Sequence, residues 1–188
     1  GGGATRIADT LIAKFGQKHV QWAMLIAAFI VGIALFFEVG LVLLIPLVFT
    51  VAKRANVSIL KLGLPMVTAL SVTHGFLPPH PGPVVIAKEL KANIGEVLLY
   101  GMIIAIPVTL IAGPIFNRFA QKMVPTAYTR EGDISSLGTQ KEFKEEEMPG
   151  FGISLLTAIL PVILMLISTI VQLITGHEEA TNVFEQIV

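Results

Sequence analysis

The sequence contains no cysteine, which excludes disulfide bonds and thiolate chemistry. Charged residues are also scarce: they make up 14% of the 188 residues, against about a quarter of an average soluble protein. The 13 basic and 13 acidic residues cancel, so no net positive charge points to a nucleic-acid partner. These shortages exclude an ordinary soluble domain and leave a membrane protein as the expected class.

Long apolar stretches take the place of charge. Hydrophobic residues make up 54% of the chain, and the mean hydropathy is +0.79. Apolar runs of about 18 residues or more are typical of transmembrane helices, so we expect an all-α membrane protein. The chain begins GGGATRIADT, without an initiator methionine or a signal-peptide pattern. We therefore expect it to be an internal part of a longer polypeptide.

Hydropathy and helical periodicity divide residues 1–188 into six segments of a single membrane domain. The amphipathic pattern of the first segment predicts a helix that lies in the membrane interface or packs as a connecting helix. The predicted segments are an interfacial helix at 5–19, a re-entrant hairpin at 22–52, a broken helix at 62–92, a transmembrane helix at 97–116, a cytoplasmic linker at 117–149 and a transmembrane helix at 151–174.

The hairpin is predicted from the length of the second apolar segment. Residues 22–52 would form a single helix of roughly 46 Å, whereas the hydrocarbon core of a bilayer is about 30 Å thick. Two full spans would need about 40 residues and a turn. Two half-depth helices at 22–37 and 40–52 fit the length, and they would meet at a tip formed by residues 38–40.

The distribution of basic residues supports the hairpin, because cytoplasmic loops carry an excess of lysine and arginine. If residues 22–52 return to the side of entry and the later segments each cross once, eleven of the 13 basic residues share one side. Only Lys88 and Lys91 then lie on the other side. If residues 22–52 cross the membrane, the split is eight to five. The stronger bias favours a hairpin that opens to the cytoplasm.

The stretch THGFLPPHPGP, residues 73–83, interrupts the third apolar segment with four prolines. Proline donates no backbone hydrogen bond, and irregular backbone at membrane depth persists only inside protein or beside a wet cavity. The sequence therefore predicts a discontinuous helix. Its first half should end near Thr73, with Gly75 in the left-handed position beyond the end, and its second half should start near Pro83. Broken helices of this kind hold the substrate and coupling ion in secondary transporters.

Three stretches, GGATRIADTL, FFEVGLVLLIPLVF and HGFLPPHPGP, resemble the bacterial gluconate permease family, and the likeness extends over essentially the whole chain. The resemblance implies proton symport of gluconate or a related sugar acid across the bacterial inner membrane, with D-serine or another small hydroxy acid as alternatives. It also implies two inverted repeats, each with a hairpin followed by a broken helix. Family members are more than twice this length, so we expect a central fragment whose second repeat lies elsewhere in the permease.

Candidate site residues lie at the two predicted interruptions. A buried carboxylate costs about 2.5–3.5 kcal/mol at mid-bilayer, so Glu38 should be protonated for part of the cycle or face water. A histidine can relay a proton, donate to a carboxylate or cap a helix end, and the backbone N–H groups of His80 and Gly82 could bind an anion. The predicted substrate-binding residues are Glu38, Val39, Gly40, Thr73, His74, His80 and Gly82, with Glu38 and His74 also predicted to couple protons.

No metal or cofactor is expected, because two histidines without cysteine or a nearby carboxylate form a weak metal-binding pattern. An intramembrane enzyme using His74 and His80 would lack a nucleophile. A non-transporting assembly subunit would leave the broken helix without a purpose. The expected partners are a small organic anion, protons, the lipid bilayer and the second repeat, while homo-oligomerisation and Na⁺ coupling stay open. A transporter is the leading hypothesis.

Overall fold

The computed structural model describes residues 2–129 and 148–175, and all the regular secondary structure in these residues is helical. A π-helical turn at Ile111–Ile115 joins the sixth helix to the seventh, and 3-10 turns lie at Gln17–His19 and Pro125–Tyr128. In chain order, the α-helices are α1 Gly3–Phe15, α2 Val20–Ala34, α3 Phe37–Ala55, α4 Ile59–Phe76, α5 Pro81–Glu89, α6 Ile94–Leu110, α7 Phe116–Met123 and α8 Phe151–Thr175.

Three helical segments among the described residues are long and apolar enough to cross a membrane. They are Ile59–Glu89, Ile94–Met123 and Phe151–Val171. Helix α2 is also apolar but is shorter than these segments. The predicted all-α fold with membrane-length helices is therefore confirmed.

The helices have two distinguishable ends. At one end, the start of α2, the turn after α3, the start of α4 and the start of α7 line a common cavity. The side-chain amide of Asn117 donates to the carbonyl of Lys61 there, at 2.9 Å. We call this the basic end, because Lys18, Lys61 and Arg118 line its cavity. At the opposite, distal end, Gly95 at the start of α6 lies against Thr169 of α8.

The core surrounds α2, which packs against α1, α4 and α8. Two glycines allow close helix contacts beside the end of α2. A Cβ at Gly32 would overlap the side chain of Thr73 on α4, and a Cβ at Gly40 of α3 would lie 2.9 Å from Leu70 Cδ2. Glycine at helix contacts lets backbones approach closely, as is typical of helices packed in membranes. The largest fully buried apolar side chains of these helices include Met24, Val31, Leu44, Val48, Leu62, Met66 and Leu70.

The first helix break lies earlier in the chain than predicted. Leu35 and Phe36 have extended backbone, and α3 already begins at Phe37. Glu38 therefore lies in the first turn of α3 and does not form a turn between two helices, and the tip predicted at residues 38–40 is wrong. Neither Leu35 nor Phe36 is a helix-breaking residue type, so no local signal in the sequence marked this position.

The second break is shorter than predicted, because only residues 77–80 are non-helical. Helix α4 continues through Gly75, whose φ is not positive, so the predicted left-handed position is wrong. A residue before proline is disfavoured in the helical region, which explains why α4 ends at Phe76, just before Leu77 and Pro78. Helix α5 starts at Pro81 because the first turn leaves its N–H groups without helical partners, and proline lacks that group.

The predicted cytoplasmic linker at 117–149 begins inside a helix. Helix α7 continues the span to Met123, so residues 117–123 are helical. Residues 130–147, which make up most of the predicted linker, lie outside the described residues. The predicted interfacial helix at 5–19 corresponds to α1 and the following 3-10 turn; α1 buries Ile7 and Ala8 and packs against α2 and α8.

Candidate functional site

The two helix breaks are in contact with each other. The ring centroid of Phe36, in the α2–α3 break, lies 6.0 Å from that of His74 near the end of α4 and 6.0 Å from that of His80 in the α4–α5 break. The two imidazole centroids are 4.8 Å apart, with the rings tilted by 53°. We call Phe36, His74 and His80 the Phe-His cluster. It joins two interruptions that are about 40 residues apart in the sequence.

His80 connects the two breaks through a hydrogen bond. Its side chain is 3% exposed, and its Nε2 lies 2.8 Å from the carbonyl oxygen of Gly32. Because a carbonyl can only accept, Nε2 carries the proton and donates. Gly32 lies in the last turn of α2, where carbonyl groups have no partner within the helix. His80 therefore caps α2 from the other break.

His74 is the histidine with an unused nitrogen. Its side chain is half-buried, and its Nδ1 atom is inaccessible and has no hydrogen-bond partner among the described residues. A buried polar atom without a partner costs about 1–3 kcal/mol, so such atoms in native proteins call for an explanation such as a catalytic or binding role. Nδ1 of His74 therefore keeps an unused hydrogen-bonding capacity at a position that solvent does not reach.

Backbone N–H groups at the start of α5 supply a further donor. Pro81 and Pro83 have none, and the N–H of His80 donates to the carbonyl of Leu77 at 3.2 Å. The prediction that His80 would offer its backbone N–H to an anion is therefore wrong. Gly82 retains a free N–H, and no atom lies within 4 Å of the position its Cβ would occupy. The side of the Gly82 backbone where a side chain would project is therefore open.

Helix α3 also begins at the Phe-His cluster, directly after Phe36. No side chain caps its first turn, and the N–H groups of Phe37, Glu38 and Val39 form no backbone hydrogen bond. The positive end of the helix dipole lies at this turn, where an anion is stabilised. Two uncapped helix starts therefore flank the Phe-His cluster.

Glu38 occupies the first turn of α3, and its side chain is exposed. A carboxylate at this position interacts favourably with the helix dipole. Among the described residues, Glu38 forms no hydrogen bond and no ion pair, so it is not joined directly to either histidine. Its carboxylate is open to the surroundings of the chain.

Three predicted binding residues differ in their surroundings. Thr73 is completely buried, and its hydroxyl donates within its own helix to the carbonyls of Ala69 and Leu70, both at 3.0 Å. Gly40 is buried at the contact between α3 and α4, while Val39 is half-exposed. Thr73 and Gly40 therefore lie at packing contacts between helices.

The sequence analysis missed two members of the site, Phe36 and Gly32. Gly32 accepts the hydrogen bond of His80, and its lack of a side chain leaves room for Thr73. An isolated glycine inside an apolar helix is a signal of close packing that could have identified Gly32. Phe36 has no such signal, because aromatic residues are common in apolar segments.

The described residues contain no group of three or more histidine, aspartate or glutamate side chains placed to hold one metal ion. The chemistry available at the two breaks is that of imidazole nitrogens without a partner, among them the buried Nδ1 of His74, together with one exposed carboxylate and the unpaired N–H groups of two helix starts. This combination suits reversible binding of a proton and a small anion.

Comparison with known proteins identifies the family. The family model described as GntP family permease matches residues 1–188. The gluconate permease of Bacillus subtilis (strain 168) is 65% identical over 173 residues, which cover 92% of this chain and 39% of that protein. The high-affinity gluconate transporter of Escherichia coli (strain K12) is 53% identical over 181 residues, 94% of this chain and 39% of that protein. The D-serine transporter of the same strain is 38% identical over 189 aligned positions, 100% of this chain and 41% of that protein.

The chain spans about two fifths of the length of these curated relatives. No solved structure matches it significantly. The family match covers every residue, including the stretches on which the sequence resemblance rests, and three helices of the fold are long and apolar enough to cross a membrane. The chain therefore belongs to the GntP permease family.

Proposed function

We propose that the permease containing this chain imports gluconate or a related sugar acid across the bacterial inner membrane by proton symport. The observation that carries the proposal is the contact between two helix breaks, which leaves the Nδ1 atom of His74 and the first-turn N–H groups of α3 and α5 unpaired. Interrupted helices hold substrate and coupling ion in many secondary transporters. The names of the Bacillus and E. coli relatives support gluconate as the substrate.

Helices α2 and α3 form a re-entrant hairpin that opens to the cytoplasm. This part of the proposal is supported by the cavity at the basic end, which Lys18 before α2 and Val57 after α3 both line. It is also supported by charge, since Lys18, Lys61 and Arg118 lie at that end, whereas Lys88 and Lys91 directly precede the distal start of α6. The chain contributes one unit of hairpin and broken helix, and the second repeat contributes the other.

The substrate carboxylate binds at the uncapped helix starts. The free N–H of Gly82 and the first turn of α3 offer donors and positive dipole ends without a lysine or arginine. The Nδ1 atom of His74 accepts a substrate hydroxyl group or, when protonated, donates to the carboxylate. His80 fixes the position of one break relative to the other through its hydrogen bond to the Gly32 carbonyl, so it is a positioning residue.

Proton coupling depends on Glu38 and His74. Both can exchange a proton reversibly, and both lie beside the proposed anion site, so their protonation changes its charge. Binding of the proton and the anion together reduces the net charge that must move during alternating access. D-serine is a second candidate substrate, since the E. coli D-serine transporter matches the full chain at lower identity.

The experiment measures uptake of labelled gluconate by the complete permease in proteoliposomes, with an imposed pH gradient. Glu38→Gln should abolish uptake driven by the gradient. Glu96→Gln is the matched control, because Glu96 is also an exposed carboxylate in the first turn of a helix, α6, at the distal end. Uptake that is unchanged in Glu38→Gln contradicts the assigned role of Glu38.

The same vesicles test the substrate and the ion. Gluconate should compete more effectively than D-serine, and an imposed Na⁺ gradient without a pH gradient should not drive uptake. If a Na⁺ gradient alone drives uptake, the coupling ion is Na⁺ and not the proton. If the permease transports D-serine but not gluconate, the substrate is D-serine.

A further inference from the structure

The basic end contains a cavity that the proposed transport site does not use. Its volume is about 450 Å³, within the range of roughly 300–1,000 Å³ that is typical of small-molecule sites. Its wall comes from three separate parts of the chain: the start of α2, the turn and first residues from α3 into α4, and α7. The lining side chains that could bind a ligand are Lys18, His19, Gln21, Lys61, Asn117 and Arg118.

The charge of this cavity has one sign. Lys18, Lys61 and Arg118 contribute three cationic groups, and the residues that line the cavity include no aspartate or glutamate. None of the three forms an ion pair with a described residue. Lys61 is half-buried, whereas Lys18 and Arg118 are exposed. Like charges that face one cavity repel one another, so an anion bound between them would be stabilised.

Polar side chains lie next to the cationic groups. The side-chain Nε2 of Gln21 is inaccessible and has no hydrogen-bond partner among the described residues, although Gln21 lines the cavity. Asn117 is held in place on the opposite wall by its hydrogen bond to the carbonyl of Lys61 and by the Tyr128 hydroxyl, which donates to the Asn117 side chain. The cavity therefore has a fixed wall, and the unpaired Gln21 nitrogen is buried within that wall.

The position of Trp22 indicates which kind of anion can reach the cavity. Trp22 is half-buried and lines the same cavity as the basic residues. Tryptophan is enriched at the headgroup level of membranes, and basic pockets between transmembrane helices on the cytoplasmic side bind anionic headgroups. Arginine and lysine together suit a phosphate group, which accepts several charge-assisted hydrogen bonds at once.

We propose that this cavity binds the phosphate group of an anionic phospholipid of the cytoplasmic leaflet, with Lys61 and Arg118 as its main ligands. A free phosphate compound shares this chemistry, and the experiment distinguishes the two sources. The site is separate from the Phe-His cluster, and its measurement does not depend on transport.

The test uses the complete permease, purified and stripped of lipid, with phosphatidylglycerol as the probe and phosphatidylcholine as the neutral lipid. Binding is followed by thermal unfolding and by native mass spectrometry. Phosphatidylglycerol should raise the Tm, and phosphatidylcholine should not. Because each basic residue near a membrane surface contributes about 1 kcal/mol, Lys61→Gln or Arg118→Gln should weaken binding about fivefold, and the double variant roughly 25-fold.

Two controls separate binding from folding. Lys61→Arg keeps the charge and should keep the binding, and the double variant should unfold near the wild-type Tm when no lipid is present. Lys88→Gln combined with Lys91→Gln removes two exposed lysines ahead of the distal start of α6 and should leave the lipid effect unchanged.

Three results would overturn the proposal. Phosphatidylglycerol binding that is the same in the Lys61 and Arg118 variants as in the wild type would exclude this site. Stabilisation by glycerol phosphate or inorganic phosphate at least as strong as that by the lipid would identify a soluble ligand. Stabilisation by gluconate through Lys61 and Arg118, without an effect of phosphatidylglycerol, would assign the cavity to substrate entry.

Discussion

The two helix breaks meet at one cluster, but the sequence specifies them in different ways. Between α4 and α5, four prolines within residues 78–83 end one helix and start the next by local steric effects. Between α2 and α3, Leu35 and Phe36 are extended although neither is proline or glycine. That break is held by contacts from outside, since His80 caps Gly32 and Phe36 packs against both histidines. The α4–α5 break is therefore specified by its own residues, whereas the α2–α3 break depends on contacts with the α4–α5 break.

This difference also separates the roles of the two histidines. His80 is buried and uses its Nε2 atom to stabilise the end of α2. His74 is only half-buried and keeps a nitrogen without a partner. We therefore expect changes at His80 to affect mainly stability and changes at His74 to affect mainly transport.

The largest effect is expected when proline is introduced into α3, where the natural break has none. Val42→Pro removes a helical N–H in the second turn and should lower the free energy of unfolding by about 3 kcal/mol or more. Val39→Pro occupies the third position of α3, where α5 carries Pro83, and its N–H forms no backbone hydrogen bond, so the loss should be no more than about 1 kcal/mol. Both valines are exposed. Thermal and denaturant unfolding of the complete permease in detergent measures the difference. Equal losses of unfolding free energy in the two variants would contradict the expectation that proline is tolerated in the first turn of α3.

A smaller effect is expected from the glycine that brings α2 and α4 together. Gly32→Ala would place a Cβ against the Thr73 side chain and should destabilise the protein by about 1–3 kcal/mol. Gly75→Ala is the matched control, since Gly75 is helical and exposed and has open space around it, and alanine there should stabilise by up to about 1 kcal/mol. Adding Thr73→Ala should recover part of the loss at Gly32 in a double-mutant cycle. No recovery would place the cause of the loss somewhere other than this contact.

The smallest effect on stability is expected at His74, and it distinguishes the two histidines. His80→Leu leaves the buried carbonyl of Gly32 without a donor and should cost about 1–3 kcal/mol. His74→Leu removes the cost of a buried nitrogen without a partner and also removes the ring contacts with Phe36 and His80. Because these two effects oppose each other, the free energy of unfolding should change by no more than about 0.5 kcal/mol. Gradient-driven gluconate uptake should nevertheless be lost in His74→Leu. Full uptake in that variant would remove His74 from the proposed coupling mechanism.

Much of the fold could be read from the sequence because it depends on composition and length. The apolar segments that contain α4, α6 and α8 are long enough for membrane helices, and the prolines mark a discontinuous helix. The exact ends of the break could not be read, because Gly75 and Pro81 are each compatible with a helix or a turn. The surroundings of Thr73 could not be read for a similar reason, since only the structure shows that its hydroxyl donates to the carbonyls of Ala69 and Leu70.

The sequence by itself determined the membrane class and the presence of a helix break within residues 73–83, because hydropathy and proline act over short distances in the chain. It also determined the family, through the resemblance of three stretches. Only the tertiary structure decided where α2 ends and that Lys18, Lys61 and Arg118 share a cavity. It also decided that His80 forms a hydrogen bond to Gly32, whereas Nδ1 of His74 has no partner. These features depend on groups that are tens of residues apart and become neighbours only when the helices pack. Hydrogen bonding and charge act over a few ångströms in space, whatever the separation along the chain.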